Sequence, residues 1–192
     1  MIPNNEKILE SYRNEDGSFL KNVIDSYTNI LYNFIRRFGF NNEEAEDILQ
    51  DVFIKVWKHV DNFDEEKSSF KTWIFTITKN SIYDALRKKK NNKIIFSLDN
   101  KDFEGNTEDV EDLQSDIFKI LDTEKNKNIL LKSIDELNEE EKTVILLHFE
   151  EGMTFKEISE LFNVSLNTVK SKYRRSLIKL KGVLGDLHQN NN

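Results

Sequence analysis

Apolar residues recur at three- and four-residue steps through most of this chain. From Phe19 to Phe38, the positions Leu20, Val23, Ile24, Tyr27, Ile30, Leu31, Phe34 and Ile35 lie on one stripe, which predicts an amphipathic helix. Gly39 follows as a natural C-cap. A second helix is expected to start at Asn41 or Asn42, with Glu43, Glu44, Glu46 and Asp47 near the positive end of its dipole. Its stripe is Ala45, Ile48, Leu49, Val52, Phe53, Val56, Trp57 and Val60, the most regular in the chain, and Asp47, Gln50, Asp51, Lys55 and Lys58 occupy the opposite face. After a polar loop from Asp61 to Ser69, a third helix carries Phe70, Trp73, Ile74, Ile77, Ile82 and Ala85 and ends in Arg87-Lys88-Lys89-Lys90.

Periodicity then fails from Asn91 to about Asp116, which reads as a linker. Helical spacing resumes with Ile117, Ile120, Leu121, Ile129, Leu130, Ile134 and Leu137. Asn138 can cap a helix whose first turn holds Glu139, Glu140 and Glu141 and whose apolar side holds Val144, Ile145, Leu147, His148 and Phe149, with Gly152 ending it. Thr154 or a neighbour caps a short helix with Ile158, Leu161 and Phe162. Asn163-Val164-Ser165 is then a tight turn, and a last helix places Val169, Tyr173, Leu177, Leu180 and Leu184 on one face and bases on the other. The expected fold class is all-α: two small helical domains, 18–92 and 129–187, joined by an acidic linker, 93–128.

Composition agrees with small domains. Of 192 residues, 38% are hydrophobic and 33% charged, and a single proline and six glycines leave helices largely uninterrupted. Cysteine is absent, which rules out a disulfide framework and thiolate metal sites. No leader-like apolar run opens the sequence and no stretch nears the ~20 apolar residues of a membrane span, so a cytoplasmic protein without direct membrane insertion is expected.

The net charge of −7 disguises a strong polarity. Asp99 to Glu124 holds ten acids against two lysines; Lys71 to Lys93 holds seven bases against Asp84 alone; Asn167 to Lys181 holds six bases and no acid. Phosphate binding follows such local clusters rather than overall charge. Histidines 59, 148 and 188 lack ligand-like spacing, and no phosphate loop or nucleophile motif is present, so neither a metal, a cofactor nor an enzyme is expected.

The last two helices read as a helix-turn-helix, whose second helix enters the major groove. Asn163 suits a turn position needing positive φ, and Ser165 can cap the second helix. Asn167, Thr168, Lys170, Ser171, Lys172, Arg174 and Arg175 are the candidates to meet DNA. The competing reading is a basic amphipathic helix packed on its own domain; the turn spacing and uninterrupted charge weigh against it. In the first domain, Phe63, Phe70, Trp73 and Phe75 stand beside Lys67, Lys71 and Lys79, a combination suited to single-stranded DNA. Stripe position assigns Phe70 and Trp73 to the core, leaving the loop Asp64–Ser69 and residues Lys67, Lys79, Asn80, Asp84, Arg87 and Lys88 to contact DNA.

The stretch Asp47-Ile-Leu-Gln-Asp-Val-Phe-Ile-Lys-Val-Trp57, followed by Phe63, Phe70, Thr72-Trp73 and Asn80, resembles region two of sigma-70 family RNA polymerase sigma factors of the extracytoplasmic-function type. Gly152-Met-Thr-Phe-Lys-Glu-Ile-Ser159 and Val164-Ser-Leu-Asn-Thr-Val-Lys-Ser-Lys172 resemble their region four. The resemblance spans about residues 20–92 and 130–184. It implies an alternative sigma factor that binds core RNA polymerase and promoter DNA. In that family the positions of Asp47, Gln50, Asp51 and Phe53 dock on the clamp helices of the largest polymerase subunit. Those of loop Asp64–Ser69 and Asn80 capture a flipped base of the downstream element, and those of Thr168, Lys170, Ser171, Lys172, Arg174 and Arg175 read the upstream element. An anti-sigma factor is a common further partner.

The sequence departs from the family pattern at Asn167, where glycine is usual, at Lys172 and Lys142, where arginine is, and at Asn138, where proline is. Lysine at 172 removes a bidentate fork, so the promoter sequence read is in question. The acidic linker is open to two readings, a mimic of RNA in the polymerase exit path or a solvated spacer kept extended by self-repulsion. Two other classes compete with a sigma factor: a stand-alone regulator, which would bind duplex tightly without polymerase, and a sigma-like decoy, which would bind polymerase without supporting transcription.

Overall fold

A computed structural model describes residues 5–14, 17–89 and 133–189, with side chains through Gly182. The acidic linker, Leu184 and the expected helical positions from Ile117 to Leu130 lie outside the described side chains. The chain divides into two units, Met1–Phe96 and Ser97–Asn192. Among the described residues all regular structure is helical.

The first unit contains α1 (Asn5–Arg13), α2 (Phe19–Arg36), α3 (Asn42–His59), a single 3-10 turn (Val60–Asn62) and α4 (Phe70–Lys89). Helices α2, α3 and α4 pack pairwise, and α1 lies against α2. Local chemistry fixes the α3 start. The Asn41 side chain accepts from the Glu44 amide at 2.9 Å while the Glu44 carboxylate accepts from the Asn41 amide at 2.9 Å, a reciprocal capping box. Ser69 does half of this for α4, accepting from the Thr72 amide at 3.1 Å. Gly39 turns the chain between α2 and α3 at φ +78°, where a side chain would be strained.

The core of this unit is Val23, Tyr27, Leu31, Phe34 and Ile35 of α2, Ala45, Ile48, Leu49, Val52 and Val56 of α3, and Phe70, Ile74, Phe75 and Ile82 of α4. Each of the valine, leucine, isoleucine and phenylalanine side chains contributes about 1.5–3 kcal/mol through removal from water. Three expectations need correction. Ile24 and Trp57, placed on buried stripes by their spacing, are 37% and 58% exposed, because each sits at the margin of its stripe with no facing helix. Helix α4 buries more of its circumference than the single predicted stripe, including Thr72, Thr78, Ser81, Tyr83 and Leu86, because α2 and α3 cover it from two sides. Helix α1 lies outside the stripes that the sequence predicts. Its nine residues bury only Ile8, Leu9 and Ser11, too few positions for a periodic signal.

The second unit contains α5 (Glu139–Phe149), α6 (Phe155–Phe162) and α7 (Leu166–Gln189), with α5 and α6 both packed on α7. Capping boxes start α5 (Asn138 with Glu141) and α6 (Thr154 with Glu157). Asn163 closes α6 in the left-handed region at φ 53°, ψ 49°, and Ser165 caps α7 by accepting from the Thr168 amide at 3.1 Å. Val144, Leu146, Leu147, Ile158, Leu161, Val169, Tyr173, Leu177 and Leu180 form the core, with Met153 folded in beneath the Gly152 turn.

Candidate functional site

Two surfaces stand out, one on each unit, and each is built by a single helix. On α3, Glu43, Asp47, Gln50, Ile54 and Trp57 follow one another at alternating steps of four and three and are all exposed. Ile54 is 52% exposed and Trp57 58%. Such spacing is the seam a helix presents to a partner helix in a coiled coil, yet among the described residues nothing covers it. Asp51 and Phe53 flank the seam. Phe53 is half-buried. Asp51 bridges to Lys55 at 2.6 Å, and the Ser81 hydroxyl of α4 accepts from Lys55 at 2.8 Å and donates to Asp51 at 3.1 Å. This triad ties the polar side of α3 to α4 and holds the seam at a fixed angle. Ile54 has a signal in the sequence, an isoleucine on an otherwise polar face, that the apolar stripe of α3 does not include.

The loop between α3 and α4 is organised by its own acids. Asp64 accepts from the Glu66 amide at 3.0 Å and pairs with Lys67 at 2.7 Å. The Lys67 ammonium and then the Glu66 amide hold the Asp64 carboxyl below its ordinary value, and Asp64 raises Lys67 in turn. Both partners are therefore charged at neutral pH. Helix α1 reaches the same loop: the Tyr12 hydroxyl donates to Asp61, and Arg13 pairs with Glu65.

The aromatics expected beside this loop are largely internal. Phe70 and Phe75 are fully buried, and Phe63 and Trp73 are half-buried with ring centroids 5.2 Å apart. Phe70 touches Phe19, Tyr27, Phe63 and Trp73. The cluster anchors the loop and leaves Phe70 and Phe75 no face for a base. On α4, Asn80, Asp84, Arg87 and Lys88 are exposed along one face, with Asp84 and Arg87 paired at 2.9 Å, while Lys79 is half-buried. Lys89 pairs with Glu44 at 2.8 Å, and that contact, then the Asn41 amide, keeps the Glu44 carboxyl below its ordinary range.

On the second unit, α6, the Asn163 turn and α7 make the expected helix-turn-helix. Asn167 is exposed, and Lys170, Arg174 and Arg175 are partly so. Asn167, Lys170 and Arg174 fall on one line along α7, continued by the exposed Ile178. The other three candidates are turned inward. Thr168, Ser171 and Lys172 are 6%, 5% and 7% exposed. Thr168 shares a hydrogen bond with Ser165 at 2.8 Å, and Lys172 is paired with Glu140 of α5. Lys179 likewise bonds Glu141 of α5 at 2.7 Å. The spacing that puts Lys170 and Arg174 outward puts Thr168 and Lys172 a helical half-turn away, facing α5.

His148 packs as a structural residue, its ring stacked 4.3 Å from Phe155 and its Nδ1 2.8 Å from the Met153 carbonyl oxygen. Tyr173 lies against both rings; its hydroxyl is buried without a hydrogen-bond partner among the described residues, and burial pushes the phenol up to about 12. Among the described residues no group of His, Asp or Glu is arranged to hold a metal, and no helix is long and apolar enough to cross a membrane.

A helical bundle followed by a helix-turn-helix with an outward cationic line defines the class: a two-unit, all-helical protein of the DNA-binding kind. Residues 23–92 match the sigma-70 region 2 family model and residues 127–180 the sigma-70 region 4 model, together well over half of the chain. The chain belongs to the sigma-70 family of RNA polymerase sigma factors, of the extracytoplasmic-function type. It is 29% identical to the extracytoplasmic-function sigma factor SigW of Bacillus subtilis over 95% of this chain and 97% of that one. It is also 29% identical to RpoE of Cereibacter sphaeroides, over 77% and 76% of the two chains. The fold is shared with RpoE of Bartonella quintana, solved in complex with the anti-sigma factor NepR, at a TM-score of 0.61 and 20% identity, covering 88% of this chain and 98% of that one. CnrH, solved with the cytosolic domain of CnrY, gives a TM-score of 0.60 over 88% of each chain.

Proposed function

We propose that this sigma factor recruits core RNA polymerase through the α3 seam and carries it to promoters read by the α7 line, with the α3–α4 loop and Asn80 taking up an unpaired base of the downstream element. The observation that carries this reading is the uncovered Gln50–Ile54–Trp57 seam. Exposed isoleucine and tryptophan at coiled-coil spacing cost solubility unless a partner helix covers them, and the clamp helices of the largest polymerase subunit are that partner. Asp47 extends the seam and Asp51 and Phe53 support its flank. Asn167, Lys170, Arg174 and Arg175 form the groove-facing set on α7, while Thr168, Ser171 and Lys172 fix the angle at which it is presented. Lys67, Lys79, Asp84, Arg87 and Lys88 border the path of the melted strand.

The division of labour follows 18–92 for polymerase and downstream element, 93–128 as tether and 129–187 for the upstream element. The protein acts by binding alone, in the cytoplasm, without cofactor or covalent chemistry: unstacking a base is offset by its contacts with the loop and neighbouring cations. An anti-sigma factor of the kind bound to the Bartonella quintana relative is a natural regulator, since it would compete for the same exposed surfaces. Run-off transcription with purified core polymerase on a genomic promoter library tests the reading. The protein should yield discrete transcripts that core enzyme alone does not. Tight duplex binding without polymerase would instead mark a stand-alone regulator, and polymerase binding without transcripts a decoy.

A further inference from the structure

The loop proposed to receive the unpaired strand has an electrostatic difficulty. Between Asp61 and Ser69 the chain places four carboxylates, Asp61, Asp64, Glu65 and Glu66, and only one cation, Lys67. A strand carrying one phosphate per nucleotide is repelled by such a loop unless its acids are answered from nearby. Lys67 answers Asp64 from within the loop. Helix α1 meets two of the remaining acids: the Arg13 guanidinium pairs with Glu65 and offsets its charge, and the neutral Tyr12 hydroxyl donates to Asp61 and holds it in place, across 52 and 49 residues of sequence.

Helix α1 is held in position to do this. Ile8 and Leu9 are buried against the bundle, the Tyr27 hydroxyl donates to the Asn5 side chain at 2.6 Å, and the Tyr12 ring packs 5.2 Å from Phe19, which in turn contacts Phe70 beneath the loop. All of these α1 residues precede position 23, where the match to the region 2 family model begins.

We propose that α1 is a positioning element for promoter melting: Arg13 offsets the charge of Glu65 and the Tyr12 hydroxyl fixes Asp61 in place, so that the α3–α4 loop repels the unpaired strand less and can accept it. The inference rests on the reading of that loop given above. Arg13 itself need not touch DNA; it acts through Glu65.

The test uses the full-length protein with core polymerase on a promoter recovered from the run-off screen, carrying a fluorescent base analogue in the melted segment. Arg13→Gln should lower the equilibrium for opening about threefold while leaving affinity for core enzyme unchanged, and the deficit should shrink with added salt. Glu65→Gln placed in the Arg13→Gln background should restore opening to the wild-type level, because the uncompensated charge is gone. A helix that merely completes the fold would show a loss that Glu65→Gln does not repair, with a matching drop in melting temperature; that result overturns the proposal, as does unchanged opening in Arg13→Gln. Failure of the wild-type protein to open any promoter would remove the loop reading itself, and is distinguished by being independent of either substitution.

Discussion

The two recognition helices treat their surfaces in opposite ways. Helix α3 leaves apolar residues outside among its acids and ties one charged pair into the unit, in the Asp51–Lys55–Ser81 triad. Helix α7 leaves cations outside, but not all of them: Lys172 is buried against Glu140 of α5, while Lys179, its side chain 53% exposed, is paired with Glu141. The difference teaches that a charge count along a helix overstates the cationic charge that a partner meets. The six bases between Asn167 and Lys181 look equivalent in sequence, and in the fold at least two of them belong to the packing of α5 on α7.

Four substitutions break or sharpen this contrast. The largest effect is expected from Lys172→Ala. The pair with Glu140 is 9% and 16% exposed, and removing one partner strands the other, so the second unit should lose about 3 kcal/mol in denaturant unfolding. A fall in DNA affinity with no change in stability would return Lys172 to the groove-facing set. Next, Trp57→Ala should weaken binding to core polymerase by about 2 kcal/mol, as expected of a central aromatic contact, without lowering the melting temperature of the protein. An unaltered affinity in titration against core enzyme would show that the seam is not the docking surface. Third, Lys170→Ala should reduce the slope of log affinity against log salt by about one for promoter duplex bound by the holoenzyme, a signature of one lost phosphate contact that Lys172→Ala would not give. The smallest effect is expected from Tyr173→Phe. Deleting a buried hydroxyl that has no partner among the described residues should raise stability by up to about 1 kcal/mol, read as a small upward shift in thermal melting.

Much of the fold was legible because its helix starts are written locally. Asn41 with Glu44, Asn138 with Glu141 and Thr154 with Glu157 satisfy amide donors within four residues of sequence, so spacing alone located α3, α5 and α6. Asn163 was legible for the same reason, as a residue that tolerates the left-handed region at low cost. What escaped were features decided by neighbours distant in sequence. Periodicity says that Trp57 lies near a stripe; only the lack of a facing helix among the described residues leaves it outside. Residue type says that Lys172 can meet phosphate; only the arrival of Glu140 from 32 residues away turns it inward. Helix α1 was invisible because its docking depends on the bundle it joins rather than on a stripe of its own.

The acids at the start of α5 also bear on where such a protein spends its time in a cell. A chromosome is a vast polyanion, and every ammonium offered to it strengthens indiscriminate adsorption anywhere along its length. By occupying Lys172 and Lys179, Glu140 and Glu141 lower the pull of random sequence on the second unit. The pool of protein free to find polymerase should be correspondingly larger, so that two carboxylates engaged inside their own unit would help set how much of the factor the genome holds in reserve.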